Sequence, residues 1–189
     1  MKSYPIIPII SFFWVVSEIA LAFVKRSKSS AAKGLDRASL RILWITIVVS
    51  IMIGVFFGVR GIGFIYTGRI IFYLTGLAFI VIGLIIRWIA ILTLRRYFTV
   101  DVAIIDEHKI IDRGIYGHIR HPAYAGSLLS FLGLGLAYSN WLSILIIFIP
   151  ILLAFLYRIR VEEAALITAF GDSYKDYSAR TRRLLPGIF

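Results

Sequence analysis

Five apolar runs follow one another along this chain, each long enough or nearly long enough to cross a bilayer. They cover about Ile6–Val24, Ile42–Val59, Ile70–Leu94, Tyr124–Tyr138 and Trp141–Tyr157. A transmembrane helix needs about 20 predominantly apolar residues. The composition agrees: 60% of the residues are hydrophobic and the mean hydropathy is +0.89. A soluble fold, which must also face water, has no use for so much apolar surface. The 189 residues fit one domain. The expectation is an all-α integral membrane protein of about five transmembrane helices. The first run is read as a retained span. Lys25 and Arg26 stand where a cleavable signal would carry small residues.

The charges lie mainly between the runs. The net charge is +11, from 21 Lys and Arg against 10 Asp and Glu. Cations spaced between spans suit anionic lipid headgroups better than nucleic acid, and no nucleic-acid partner is expected. The first loop holds Lys25, Arg26, Lys28, Lys33, Arg37 and Arg41, and the polar centre holds Arg95, Arg96, Lys109, Arg113 and Arg120. The tail holds Arg158, Arg160, Lys175, Arg180, Arg182 and Arg183, while the second loop has only Arg60 and Arg69 and the Ser139–Asn140 turn has no cation. The positive-inside rule then puts the N-terminus outside and the polar centre and tail in the cytoplasm. The chain divides into residues 1–94, with three spans, and 95–189, with a transmembrane hairpin at about 124–157 and a cytoplasmic helical tail. Within the spans, Glu18 is read as facing the bundle and bonding to a neighbouring helix. Arg87 is read as snorkelling to the headgroups. There are no cysteines, so disulfides, thiolate metal sites and a cysteine nucleophile are excluded.

Two polar clusters sit at the ends of the last hairpin. The first is Gly114-Ile115-Tyr116-Gly117-His118-Ile119-Arg120-His121-Pro122-Ala123-Tyr124. Pro122 falls where the fourth span begins, and proline suits a first helical position. The N–H groups of that first turn lack helical partners and could meet a carboxylate or phosphate. The second cluster is Arg158-Ile159-Arg160-Val161-Glu162-Glu163, in which Arg158 and Glu162 share a helical face. Only Ser139 and Asn140 separate the fourth and fifth runs, so a tight antiparallel hairpin brings both clusters to one boundary. Gly126, Gly133 and Gly135 leave room for close helix contact. Simpler roles exist for several of these residues. Tyr116, Tyr124, Tyr174 and Tyr177 could be interfacial anchors. Lys175, Arg180, Arg182 and Arg183 could be a charged surface facing lipid. His118 and His121 stand three apart, but Pro122 disturbs the helix that would align them, and no metal is expected. The glycines from Gly58 to Gly63 are read as a turn, since no strand precedes them.

The motifs His108-Lys109-Ile110-Ile111, Gly114-Ile115-Tyr116 and Arg120-His121-Pro122-Ala123-Tyr124 resemble the isoprenylcysteine carboxyl methyltransferase family. So do Glu162-Glu163, Phe170-Gly171, Tyr174, Tyr177 and Pro186, in order and spacing. The resemblance covers about residues 95–187; the first spans are similar only in hydropathy. Parts of it also occur in phospholipid N-methyltransferases and sterol reductases. The resemblance implies a cytoplasmic pocket for S-adenosyl-L-methionine, contacted by Asp101, His108, Lys109, Ile110, Ile111, Tyr116, His121, Pro122, Ala123, Tyr124 and Glu162. It implies that Arg158 binds the acceptor and that Arg158 and Glu162 carry the catalytic work. Two positions depart from the family: Asp101 stands where an amide is common, and Ala123 where Ser or Met is commoner.

The chemistry suits those residue types. A carboxylate is already ionised at neutral pH, so its methylation needs no general base. The protein must align two reactants and exclude water. Arginine can orient a carboxylate through paired hydrogen bonds. The expected function is therefore O-methylation of an isoprenylcysteine-like or other hydrophobic acceptor that arrives sideways from the bilayer. N-methylation of a phospholipid amine is one alternative, and it would need a base. A non-enzymatic membrane scaffold is another, but it offers no reason for polar residues to converge at the two hairpin ends.

Overall fold

The computed structural model describes residues 6–24, 35–94 and 110–184. The described residues form six α-helices: α1 (Ile6–Val24), α2 (Leu35–Arg60), α3 (Arg69–Leu94), α4 (Pro122–Ala137), α5 (Trp141–Phe170) and α6 (Asp172–Arg180). A single 3-10 turn, Gly114–Gly117, precedes α4. Among the described residues, three helices are long and apolar enough to cross a membrane: α2 from Arg37, α3 and α5. With 16 residues, α4 is about 24 Å long. Large apolar side chains point outward along the bundle. Ile45, Met52, Ile71, Leu92 and Leu153 are 60–68% exposed, as lipid-facing residues should be.

Two antiparallel helix pairs make the core. In the first, α3 lies against α4 along a seam of small residues. A Cβ at Gly83 would overlap the Gly126 carbonyl and Ser130, and one at Gly76 would overlap Gly133 and Ala137. Gly76 and Gly83 are seven apart, as are Gly126 and Gly133, so each pair lies on one face. The backbones can approach only because those side chains are missing. In the second pair, α2 lies against α5. Gly54 faces Ile147, and the Ser143 hydroxyl donates to the Gly54 carbonyl at 2.7 Å. Trp14 of α1 packs on Phe131 of α4, with ring centroids 4.8 Å apart.

The α4–α5 hairpin forms as the short Ser139–Asn140 break requires. Asn140 is fully buried and caps α5: its Oδ1 accepts from the Ser143 N–H at 3.0 Å. Its Nδ2 donates to the Ile62 carbonyl at 2.7 Å, which ties the hairpin tip to the α2–α3 turn. The backbone adds Trp141 N–H to Gly63 and Ile65 N–H to Ser139.

One helix end differs from the expectation: α2 starts at Leu35 rather than near Ile42, so Ser39 is helical. The polar tail beyond Tyr157 is helical as expected, continuing α5 unbroken to Phe170, with the break at Gly171. Hydropathy marks where the chain leaves the apolar phase, and a helix continues past that point until a breaker stops it. For α5 the breaker is Gly171, at φ +54°.

Candidate active site

The segment before α4 is held from outside. After the 3-10 turn, residues Ile119–His121 run extended beside the chain that follows α6. Arg120 N–H donates to the Arg182 carbonyl at 2.7 Å, His121 N–H to Arg183 at 3.0 Å, and Arg182 N–H to His118 at 3.0 Å. This parallel clasp places the residue before Pro122 against the tail. The N–H groups of Tyr124 and Ala125 both turn back to the His121 carbonyl, and Pro122 has none.

His121 and Tyr124 are three apart, and their rings stack at 5.5 Å with an interplanar angle of 2°. The Tyr124 hydroxyl donates to Glu162 Oε2 at 2.8 Å. His121 Nδ1 lies 3.8 Å from the same oxygen. Its Nε2 lies 3.4 Å from Glu163 Oε1 but is not aligned for a hydrogen bond. Arg158, one helical turn before Glu162, is also a close neighbour of the Tyr124 hydroxyl. The guanidinium is 1% exposed and donates from Nη1 to Ser39 Oγ of α2 at 2.7 Å. His121, Tyr124, Arg158 and Glu162 thus meet at one end of the bundle, as the hairpin implied. Glu162 keeps 27% of its side chain exposed, whereas Glu163 beside it is buried.

Glu163 is the hub of the clasp. Arg120 Nε donates to its Oε1 at 2.9 Å and Arg183 to its Oε2 at 2.9 Å. Arg120 also donates to the carbonyls of Ser178 and Thr181. Each oxygen of a buried carboxylate therefore has a cationic partner, which offsets the cost of taking the charge from water.

The simpler role of interfacial anchor does not hold for three of the tyrosines, which are interior. Tyr116, Tyr174 and Tyr177 are all buried. The Tyr177 hydroxyl donates to the Tyr116 carbonyl at 2.8 Å and so fixes the 3-10 turn onto α6. Burial pushes the Tyr177 hydroxyl up to about 12. Burial also raises Tyr116, as does the negative charge of Glu162. Arg183 faces Glu163 rather than lipid. Arg87 is corrected too. It turns inward, donating twice to the Glu18 carboxylate at 2.6 Å and once to Ser127 Oγ at 2.8 Å. A carboxylate inside the bundle satisfies the guanidinium better than a stretched path to the headgroups. Glu18 bonds to a neighbouring helix, as expected.

Of the other residues assigned to the cofactor, Ile110 and Ile111 are half-buried, and Pro122 and Ala123 are buried. Asp101, His108 and Lys109 lie outside the described residues. Ser39, Arg120, Glu163 and Arg183 were not singled out as site residues from the sequence. The Glu162-Glu163 doublet and the Arg120-His121-Pro122 motif are the local signals for Glu163 and Arg120; Ser39 and Arg183 have none.

The description "Isoprenylcysteine carboxyl methyltransferase (ICMT) family" matches residues 74–168. The chain belongs to this family. The matched stretch opens inside α3 and ends near the end of α5, so it spans the hairpin and both clusters. A probable protein-S-isoprenylcysteine O-methyltransferase of Oryza sativa subsp. indica is 35% identical over 115 residues, 60% of each chain. The protein-S-isoprenylcysteine O-methyltransferase of Schizosaccharomyces pombe is 35% identical over 82 residues, 43% of this chain and 35% of that one. The solved structure of the eukaryotic intramembrane Ras methyltransferase ICMT superposes with a TM-score of 0.56 at 26% identity. It covers 78% of this chain and 52% of that one. The chain spans about 60% of the length of the rice relative it matches. Like that ICMT neighbour, it is an integral membrane protein.

Proposed function

We propose that this chain is an S-adenosyl-L-methionine-dependent methyltransferase that O-methylates the carboxylate of an isoprenylcysteine-like or other hydrophobic acceptor. The observation that carries the proposal is the meeting of buried Arg158 with His121, Tyr124 and Glu162 at one end of the α4–α5 hairpin. The proposed topology is five spans with the N-terminus outside. The His121 end of the bundle and the C-terminus are then cytoplasmic, with residues 95–189 as the methyltransferase region.

The residues present suit the cofactor. Glu162 is an accessible carboxylate for an ammonium or a ribose hydroxyl. The stacked His121 and Tyr124 rings offer an aromatic surface to a cationic or planar group. His121 Nε2 is buried without a hydrogen bond. Ile110, Ile111, Tyr116, Pro122 and Ala123 would complete the walls, with Asp101, His108 and Lys109 from the preceding segment. When bound, the cofactor would supply an electrophilic methyl group on a sulfonium: an O–C bond to the acceptor carboxylate would form as the C–S bond breaks, its electron pair staying on sulfur.

Arg158 orients the acceptor carboxylate. An arginine stays protonated at any working pH, so the orienting charge is constant. Too tight a pairing would quench the nucleophile, and its role is positioning rather than activation. Tyr124 holds Glu162 toward the cofactor side. The apolar packing around them excludes water, which strengthens each polar contact. The acceptor's lipid reaches the site laterally from the bilayer.

Calorimetric titration of detergent-purified protein with S-adenosylhomocysteine tests the proposal. Binding is expected, and folded protein that binds none overturns it. Labelled methyl recovered as a base-labile ester supports carboxyl methylation, whereas label in lipid headgroups would turn the assignment to amine N-methylation.

A further inference from the structure

Arg158 of α5 has neighbours on two other helices. Tyr124 of α4 reaches it from the side of His121 and Glu162. Ser39 reaches it from α2. The second contact comes from a segment upstream of the family-matched residues 74–168.

We propose that Ser39 is a positioning residue that fixes the orientation of the Arg158 guanidinium toward the acceptor carboxylate, so that the start of α2 helps determine acceptor specificity. The inference rests on the acceptor role proposed above for Arg158. It follows first from helix register. Helices α2 and α5 pack antiparallel, with Gly54 against Ile147 and Gly58 against Ser143. The same register puts residue 39 opposite residue 162, one turn past residue 158, so the antiparallel pair brings the start of α2 within reach of the long Arg158 side chain. Ser39 also begins the buried face of α2, which continues through Leu43, Ser50 and Gly54. The intervals of four, seven and four keep these residues on one stripe.

The chemistry of the contact supports the same role. An arginine side chain has several free rotors, and holding it in one geometry costs conformational entropy. Its guanidinium is planar, so an anchor at Nη1 restricts the orientation of the plane. Ser39 and Arg158 are each 1% exposed. The anchor therefore operates away from bulk water, where a hydrogen bond to a charged group counts most.

The test uses the full chain with S-adenosylmethionine and an N-acetylated S-farnesylcysteine as the probe acceptor. Ser39→Ala is expected to raise the KM for the acceptor roughly tenfold, the effect of losing one charge-assisted hydrogen bond. S-adenosylhomocysteine affinity is expected to stay within about twofold of the unsubstituted protein. Ser39→Thr, which keeps the hydroxyl, is expected to recover most of the lost acceptor affinity. An unchanged KM in Ser39→Ala overturns the inference. So does a parallel loss of cofactor affinity, which would make Ser39 a packing residue. Failure of the unsubstituted protein to bind S-adenosylhomocysteine or methylate the probe would instead overturn the methyltransferase assignment itself.

Discussion

The two ends of the α4–α5 hairpin are built from the same helices but stabilised in opposite ways. At the tip, a neutral amide and backbone groups satisfy each other: Asn140 caps α5 and grips the α2–α3 turn. At the other end, carboxylates, arginines and an imidazole crowd together around Glu162 and Glu163. Neutral hydrogen bonds are enough to close a turn. Buried charges are costly and need several partners each. The end that bears that cost is the one where chemistry is proposed, and the contrast separates a fastening from a working site.

Substitutions can break the contrast from either side, and the largest effect is expected at Glu163. Glu163→Ala would leave Arg120 and Arg183 without their shared carboxylate. The expected loss is about 3–5 kcal/mol of stability, read as a lowered Tm in thermal unfolding of the detergent-solubilised protein. A change near zero would show that the tail needs no ionic hub. Asn140→Ala comes next, at about 1–3 kcal/mol, because it strands the Ile62 carbonyl and the Ser143 N–H. Activity per folded molecule should not change. If turnover fell with intact folding, the tip would not be a mere fastening.

The charged end should also respond to alkali. The folded Tyr177 hydroxyl titrates near 12, above its ordinary value of 10. A group raised on folding contributes stability that is full below about pH 10 and is lost as pH rises toward 12. The loss at pH 11 should be about 1 kcal/mol. Tyr177→Phe should flatten part of that decline in a pH series of thermal melts, and an unaltered slope would remove Tyr177 from the account. The smallest expected effect is that of Tyr124→Phe. Losing its hydrogen bond to Glu162 should weaken S-adenosylhomocysteine binding about fivefold, or roughly 1 kcal/mol, with little change in Tm. Equal affinity would mean that Glu162 needs no such support.

How far the sequence reveals the molecule depends on the distance over which each feature is specified. The hairpin is local: two polar residues between apolar runs leave the chain no other route. Pro122 likewise marks the start of α4. The meeting of His121 with Arg158 and Glu162 follows from the hairpin alone, once both clusters are seen at its ends. Glu163 with Arg120, Arg87 with Glu18, and Arg158 with Ser39 are different. Those partners stand 43, 69 and 119 residues apart, and no periodicity within one helix encodes which cation meets which acceptor. Ser39 is also hidden by the hydropathy profile, which gives residues 25–41 the appearance of a loop although α2 has already begun at Leu35. The buried tyrosines mislead for a related reason. An amphipathic ring suits both an interface and a hydrogen-bonded interior, and the contact from Tyr177 to the Tyr116 carbonyl decides between them.

The clasp between residues 118–121 and 182–183 has a consequence for how the protein is made. Chains emerge from the ribosome N-terminus first. The six described helices therefore precede residue 182 in synthesis, while His121 waits for its backbone partner. Closure of the clasp thus follows the synthesis of those helices, set by chain order alone. A nascent chain halted before Arg182 would have its helices in place and its acid–base cluster unclasped.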